Sequence, residues 1–77
     1  MHELGITRNI VAIVGERAGG RRVQRVQLEI GDMTAVMPDA IRFCFDVCAE
    51  GTALEGAMLE ILQVPGESLK IREMELH

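Results

Sequence analysis

The sequence predicts a two-layer α/β (α+β) domain in the order α-β-α-β-β, a three-stranded mixed sheet covered by two helices. Three observations lead there. Apolar residues recur at helical spacing in two segments, strict alternation marks a strand between them, and Pro65-Gly66 divides two further apolar runs. The 77 residues hold one small domain, and a chain this short buries only about 60% of the surface it exposes when unfolded.

The first helix is expected from Leu4 to about Ala18. It places Leu4, Ile6, Ile10, Val11, Ile13, Val14 and Ala18 near one another and leaves Arg8, Asn9, Glu16 and Arg17 as the polar side. Gly19-Gly20 should end it, because glycine accepts the left-handed conformation of a helix stop. From Arg25 to Ile30, Val26, Leu28 and Ile30 alternate with Arg25, Gln27 and Glu29, the pattern of a half-buried strand. Val23 has the opposite parity, so the strand starts later or carries a bulge near Gln24.

Gly31 to Met37 reads as a connector, and Pro38 suits the first turn of a second helix with Asp39 beside it. That helix is expected from Pro38 to about Glu50, with Ile41, Cys44, Phe45 and Cys48 on one stripe widened by Ala40, Phe43 and Val47. Gly51 stops it, and Thr52 to Gly56 is a loop. Met58 to Val64 and Leu69 to Leu76 read as strands joined by the Pro65-Gly66 turn, which predicts a hairpin. In the last strand Leu69 and Ile71 share one parity while Met74 and Leu76 share the other, so a bulge or twist is expected near Arg72-Glu73. The strand–helix–strand piece should cross over right-handedly, and the last strand should return antiparallel.

Composition narrows the function. Eight Lys+Arg against twelve Asp+Glu give a net charge of −4, and there are two Phe with no Tyr or Trp. A basic face and stacking aromatics are therefore missing, which sets nucleic acid aside. No run reaches the roughly 18 to 20 apolar residues of a membrane span, and the start lacks the pattern of a secretion signal, so no membrane role and a cytoplasmic location are expected. Small domains often carry a disulfide or metal staple. Cys44 and Cys48 lie four apart on one predicted helix, a poor place for a disulfide, and two thiols cannot close a four-ligand zinc site. Any staple is expected to be a second chain, through a homodimer or a strand exchange at an open sheet edge.

Enzymatic motifs fail on inspection. His2-Glu3 begins like a zinc-protease signature, but Ile6 stands where the second histidine belongs. Gly15 and Gly20 have phosphate-loop spacing, but Arg21-Arg22 replace the required Lys-Ser/Thr. No histidine neighbours Cys44 in sequence to serve as a base, and both cysteines are expected in the core, where a thiol is inert. The chain is not expected to be an enzyme.

One constellation carries chemistry. The amine of Met1, the imidazole and amide nitrogen of His2, and the amide or carboxylate of Glu3 are able to surround one divalent ion. Chelate rings of amine, deprotonated amide and imidazole favour the planar geometry of Ni(II) or Cu(II) over that of Mg(II) or Ca(II). The plain alternative is a frayed terminus with an exposed histidine.

Read as a string, the sequence resembles the HypA/HybF family of hydrogenase nickel-incorporation proteins. The resemblance rests on Met1-His2-Glu3-Leu4 with Thr7 and Ile10, on Arg25 to Asp32, on Ile41 to Asp46, on Glu50-Gly51-Thr52 through Glu55 to Ile61, and on Leu69 to Leu76. It implies a metallochaperone that takes Ni(II) transiently at Met1, His2 and Glu3. Working with a nickel-delivering GTPase partner, such a protein helps load the [NiFe] hydrogenase large subunit, and some relatives serve urease. Glu3 would also face the partner.

The family pattern also implies a zinc domain with two Cys-x-x-Cys pairs entered near Gly66 and left near Leu69, where this chain has only Glu67-Ser68. No structural zinc is therefore expected, and residues 1 to 77 are read as a single nickel-binding domain. The alternative function is a metal-free interaction or dimerisation module derived from that family.

Overall fold

A computed structural model describes residues 2–77. Helix α1 spans Glu3–Ala18, strand β1 Val23–Gly31, helix α2 Pro38–Ala49, strand β2 Met58–Val64 and strand β3 Leu69–Leu76, the expected order. Helix α1 stops where Gly19 takes φ 60° and its N–H reaches the Glu16 carbonyl at 3.2 Å. Helix α2 starts with Pro38 in its first turn, where a missing N–H leaves no bond unmade.

The three strands form one sheet in the order β2-β1-β3. Strand β1 pairs parallel with β2 and antiparallel with β3. At both places where the parity changes, the structure has a bulge. The β1–β3 register slips between Val23 and Arg25, leaving Gln24 as an extra residue, and again between Gln27 and Leu28, leaving Arg72 as an extra residue in β3.

The expected hairpin is overturned, because β2 and β3 flank β1 and do not pair with each other. Val26, Leu28 and Ile30 are each at most 1% exposed, so the most apolar strand takes the centre, where both edges are paired and helices cover one face. The Pro65 to Ser68 connection consequently bridges two strand spacings, about 10 Å, across the end of β1. It is bonded there. Gly31 N–H donates to the Ser68 carbonyl at 2.6 Å, Asp32 N–H to Val64 at 2.8 Å and Met33 N–H to Gly66 at 2.8 Å, while Gly66 N–H donates to Asp32 Oδ1 at 3.0 Å.

One face of β1 meets the helices and the other carries charge. The core gathers Thr7, Ile10, Val11, Val14 and Ala18 of α1, Ile41, Phe45 and Ala49 of α2, the apolar face of β1, and Val36 and Leu54 from connecting segments. Within α1 the buried stripe therefore runs through Thr7, while Leu4 and Ile13 stand largely outside it. Within α2 the stripe is narrower than expected. Phe43 is 75% and Val47 54% exposed, and Cys44 and Cys48 are half-buried free thiols, because the fully buried line of α2 is confined to Ile41, Phe45 and Ala49.

On the open face Arg25 donates to Glu60 at 2.6 Å and to Glu73 at 2.7 Å, and Gln27 donates to the same Glu60 oxygen at 3.2 Å. Hydrogen bonds to Glu73 and Glu60 hold the Arg25 guanidinium above its ordinary pKa, so it stays charged throughout. Beside it Glu29, nearly buried, lies between Arg72 at 3.3 Å and Lys70 at 3.6 Å. These ladders span all three strands and fix which residue stands beside which.

Candidate metal centre

His2 is the residue that caps the start of α1, with φ −89° and ψ 81°. Its carbonyl accepts the first intrahelical bond, from Ile6 N–H at 3.1 Å, and its side chain makes no capping hydrogen bond. The imidazole is exposed and uncommitted to the helix. Glu3 follows as the first helical residue, a position whose N–H has no partner within the helix.

The Glu3 carboxylate has a defined partner. Its Oε2 accepts from Met37 N–H at 3.1 Å, the residue that caps α2. The Thr7 hydroxyl, wholly buried, donates to the Glu3 carbonyl at 2.7 Å. The start of α1 is thus tied to the start of α2 across 34 residues of sequence. Hydrogen bonds from the Met37 amide and from its own amide hold the Glu3 carboxyl below the usual carboxylate range.

The sign of this shift sets a pH dependence. Between the folded and unfolded pKa values the unfolded chain binds more protons, so the Glu3–Met37 tie is fully present above the ordinary carboxylate value and lost as pH falls through the lower folded one. The Met37 amide proton is expected to titrate with a midpoint below that of an ordinary glutamate, and the inflection should vanish in Glu3→Gln. NMR chemical shifts across an acid titration measure both.

Of the three residues expected to take metal, His2 and Glu3 are adjacent at the helix start, and Met1 lies outside the described residues. Among the described residues no group of three or more His, Cys, Asp or Glu side chains is close enough to hold a metal ion. The Met37 amide is the participant that sequence reading misses, since no local pattern links residues 3 and 37. No helix of the described residues is long and apolar enough to cross a membrane.

In class, the molecule is a small two-layer α/β domain with His2 exposed at the start of its first helix. The chain belongs to the HypA family, matching over residues 1–74 the family described as hydrogenase/urease nickel incorporation, metallochaperone, hypA. It is 71% identical over 66 residues to the hydrogenase maturation factor HypA of Nostoc punctiforme and 70% identical over 66 residues to that of Trichormus variabilis. Each match covers 86% of this chain and 58% of the relative. The HypA of Geobacter metallireducens is 58% identical over 66 residues, again 86% of this chain and 60% of the relative. The chain thus spans less than two thirds of the length of these relatives. In fold it is similar to the solution structure of the Ni metallochaperone HypA from Helicobacter pylori, with a TM-score of 0.76 at 18% identity, over 100% of this chain and 94% of that one.

Proposed function

We propose that this chain is a single nickel-binding domain that takes Ni(II) as cargo at Met1, His2 and Glu3 and passes it on during [NiFe] hydrogenase maturation. The observation that carries the reading is the His2 imidazole, exposed and free of any capping bond at the start of α1. Family membership supplies the metal. In this reading Met1 gives its amine, His2 its imidazole and amide nitrogen, and Glu3 a further amide, while the Glu3 carboxylate stays on Met37 and holds the helix start in place. Nitrogen donors in chelate rings suit planar Ni(II).

Release matters as much as capture. An exposed site with few side-chain ligands lets the ion leave, whereas a closed four-ligand cage retains it. The receiver is a nickel-delivering GTPase, with the hydrogenase large subunit served indirectly, in the cytoplasm. The domain acts by stoichiometric hand-over and is not an enzyme. The Pro65 to Ser68 bridge stands where the family pattern places a zinc domain, so no structural zinc takes part.

Titrating Ni(II) into protein with an unblocked Met1 is expected to produce a planar d–d absorption band that is lost in His2→Ala and fades on acidification, as amine, amide and imidazole take up protons. A band of equal strength in both proteins would remove His2 from the site. No band in either would leave the metal-free interaction module as the function.

A further inference from the structure

Strand β3 is an edge of the sheet, with one side bonded to β1 and the other open among the described residues. Its eight residues read Leu-Lys-Ile-Arg-Glu-Met-Glu-Leu, a pattern complementary to its own reverse. When two copies are laid antiparallel about an axis between Arg72 and Glu73, Leu69 meets Leu76, Lys70 meets Glu75, Ile71 meets Met74 and Arg72 meets Glu73. Every apolar residue then faces an apolar one, and every base faces an acid.

The faces agree as well. Leu69, Ile71 and Met74 register with Ile30, Leu28 and Val26 on the helix side, while Lys70, Glu73 and Glu75 register with Glu29, Gln27 and Arg25 on the open side. Arg72 also lies on the open side, where it meets Glu29. A bulge usually blunts an edge against pairing. Here the bulged pair of one copy falls opposite the bulged pair of the other, so the register survives.

A second feature lies along the same edge. An apolar groove of about 370 Å³ runs between α1 and β3, lined by Ile6, Ile10, Ile13, Leu69 and Ile71. Ile13 is 45% and Leu69 40% exposed, and Ile71, Met74 and Leu76 are only half-buried. The groove lacks a cover on its outer side.

We propose that β3 pairs with β3 of a second copy of this chain, making a two-fold dimer with a continuous six-stranded sheet and bringing the two grooves together. Self-complementary charge commits the occupant to a second copy, since a same-sign edge would repel its own kind. The start of α1 lies beside Leu69, so the two His2 residues stand at opposite ends of the joined sheet and each copy keeps its own metal site.

Lys70 is the one lysine in the sequence, which makes the test specific. Zero-length carbodiimide coupling of a mixture of isotopically labelled and unlabelled chains is expected to give a dimer joined at Lys70–Glu75. Sedimentation equilibrium should show K70E and E75K each self-associating roughly tenfold more weakly than the parent chain. Their equimolar mixture should recover the parent strength, because in the mixed dimer each substituted position meets its opposite charge. Melting curves identify any variant that does not fold, and the cross-link on the unsubstituted chain then decides alone. A chain that stays monomeric at millimolar concentration, or a dimer joined elsewhere and indifferent to K70E in folded protein, overturns the proposal.

Discussion

Truncating Leu54 to alanine is expected to cost about 3 kcal/mol, within the range found for emptying a fully buried leucine site. Leu54 is 0% exposed although it belongs to no helix or strand. The segment around it has little freedom to collapse into the cavity. Val23 N–H donates to the Ala53 carbonyl at 2.9 Å, Ala57 N–H to the Leu54 carbonyl at 2.9 Å and the Arg22 guanidinium to the Glu55 carbonyl at 2.8 Å. Leu54 N–H is itself held by the Thr52 hydroxyl at 3.1 Å. A domain of this size has roughly 4 to 12 kcal/mol in total, so the variant should lie near the limit of folding. Urea denaturation monitored by circular dichroism reads the loss, and one below about 1 kcal/mol would show that the segment relaxes into the space.

Replacing Gly31 with alanine is expected to be comparably severe for the opposite reason. A Cβ there would come within 2.7 Å of Ser68 N and closer still to the backbone of Gly66, and neither neighbour is a side chain able to turn away. Relief requires the Pro65 to Ser68 bridge to lift, which breaks the bonds that Gly31 and Met33 donate to it and strains the neighbouring bond from Asp32 to Val64. Overpacking of this kind costs about 1 to 3 kcal/mol, and the lost bonds add to it. The expected signature is spatially confined, with faster hydrogen exchange at residues 31 to 33 and little change at Val26 or Leu28. A uniform loss of protection along β1 would contradict this account.

These two residues show where sequence reading stops. The alternation of Val26, Leu28 and Ile30 identifies a strand with one buried face, because a period of two has no other ready explanation. Both bulges were legible for the same reason, since a slip in parity must be absorbed somewhere. Strand order was not, because Pro65-Gly66 announces a change of direction and says nothing about the strand that lies between the two it joins. Leu54 sits among Gly51, Thr52, Glu55 and Gly56, so its neighbours read as a loop and its burial comes from core residues elsewhere in the chain.

The candidate site divides along the same line. His2 and Glu3 stand out because imidazole and carboxylate at a chain start carry their chemistry with them. The Glu3–Met37 tie is a contact between two helix starts, and nothing near either residue encodes it. Phe43 and Val47 mark a further limit. They continue an apolar helical stripe, but only the packing of α2 decides how wide the buried part is.

The bridge over the end of β1 has a consequence for what the sheet tolerates. Because β2 and β3 each take their full set of bonds from β1, neither relies on the other, and the path from Val64 to Leu69 does not set their alignment. Polypeptide inserted at this point would be carried on two legs rooted about 10 Å apart on either side of a third strand. Such a mount resists swivelling better than the single narrow neck of a hairpin. The same end of the sheet can therefore be closed by a four-residue clasp or can bear a guest domain without the layers beneath it being rebuilt.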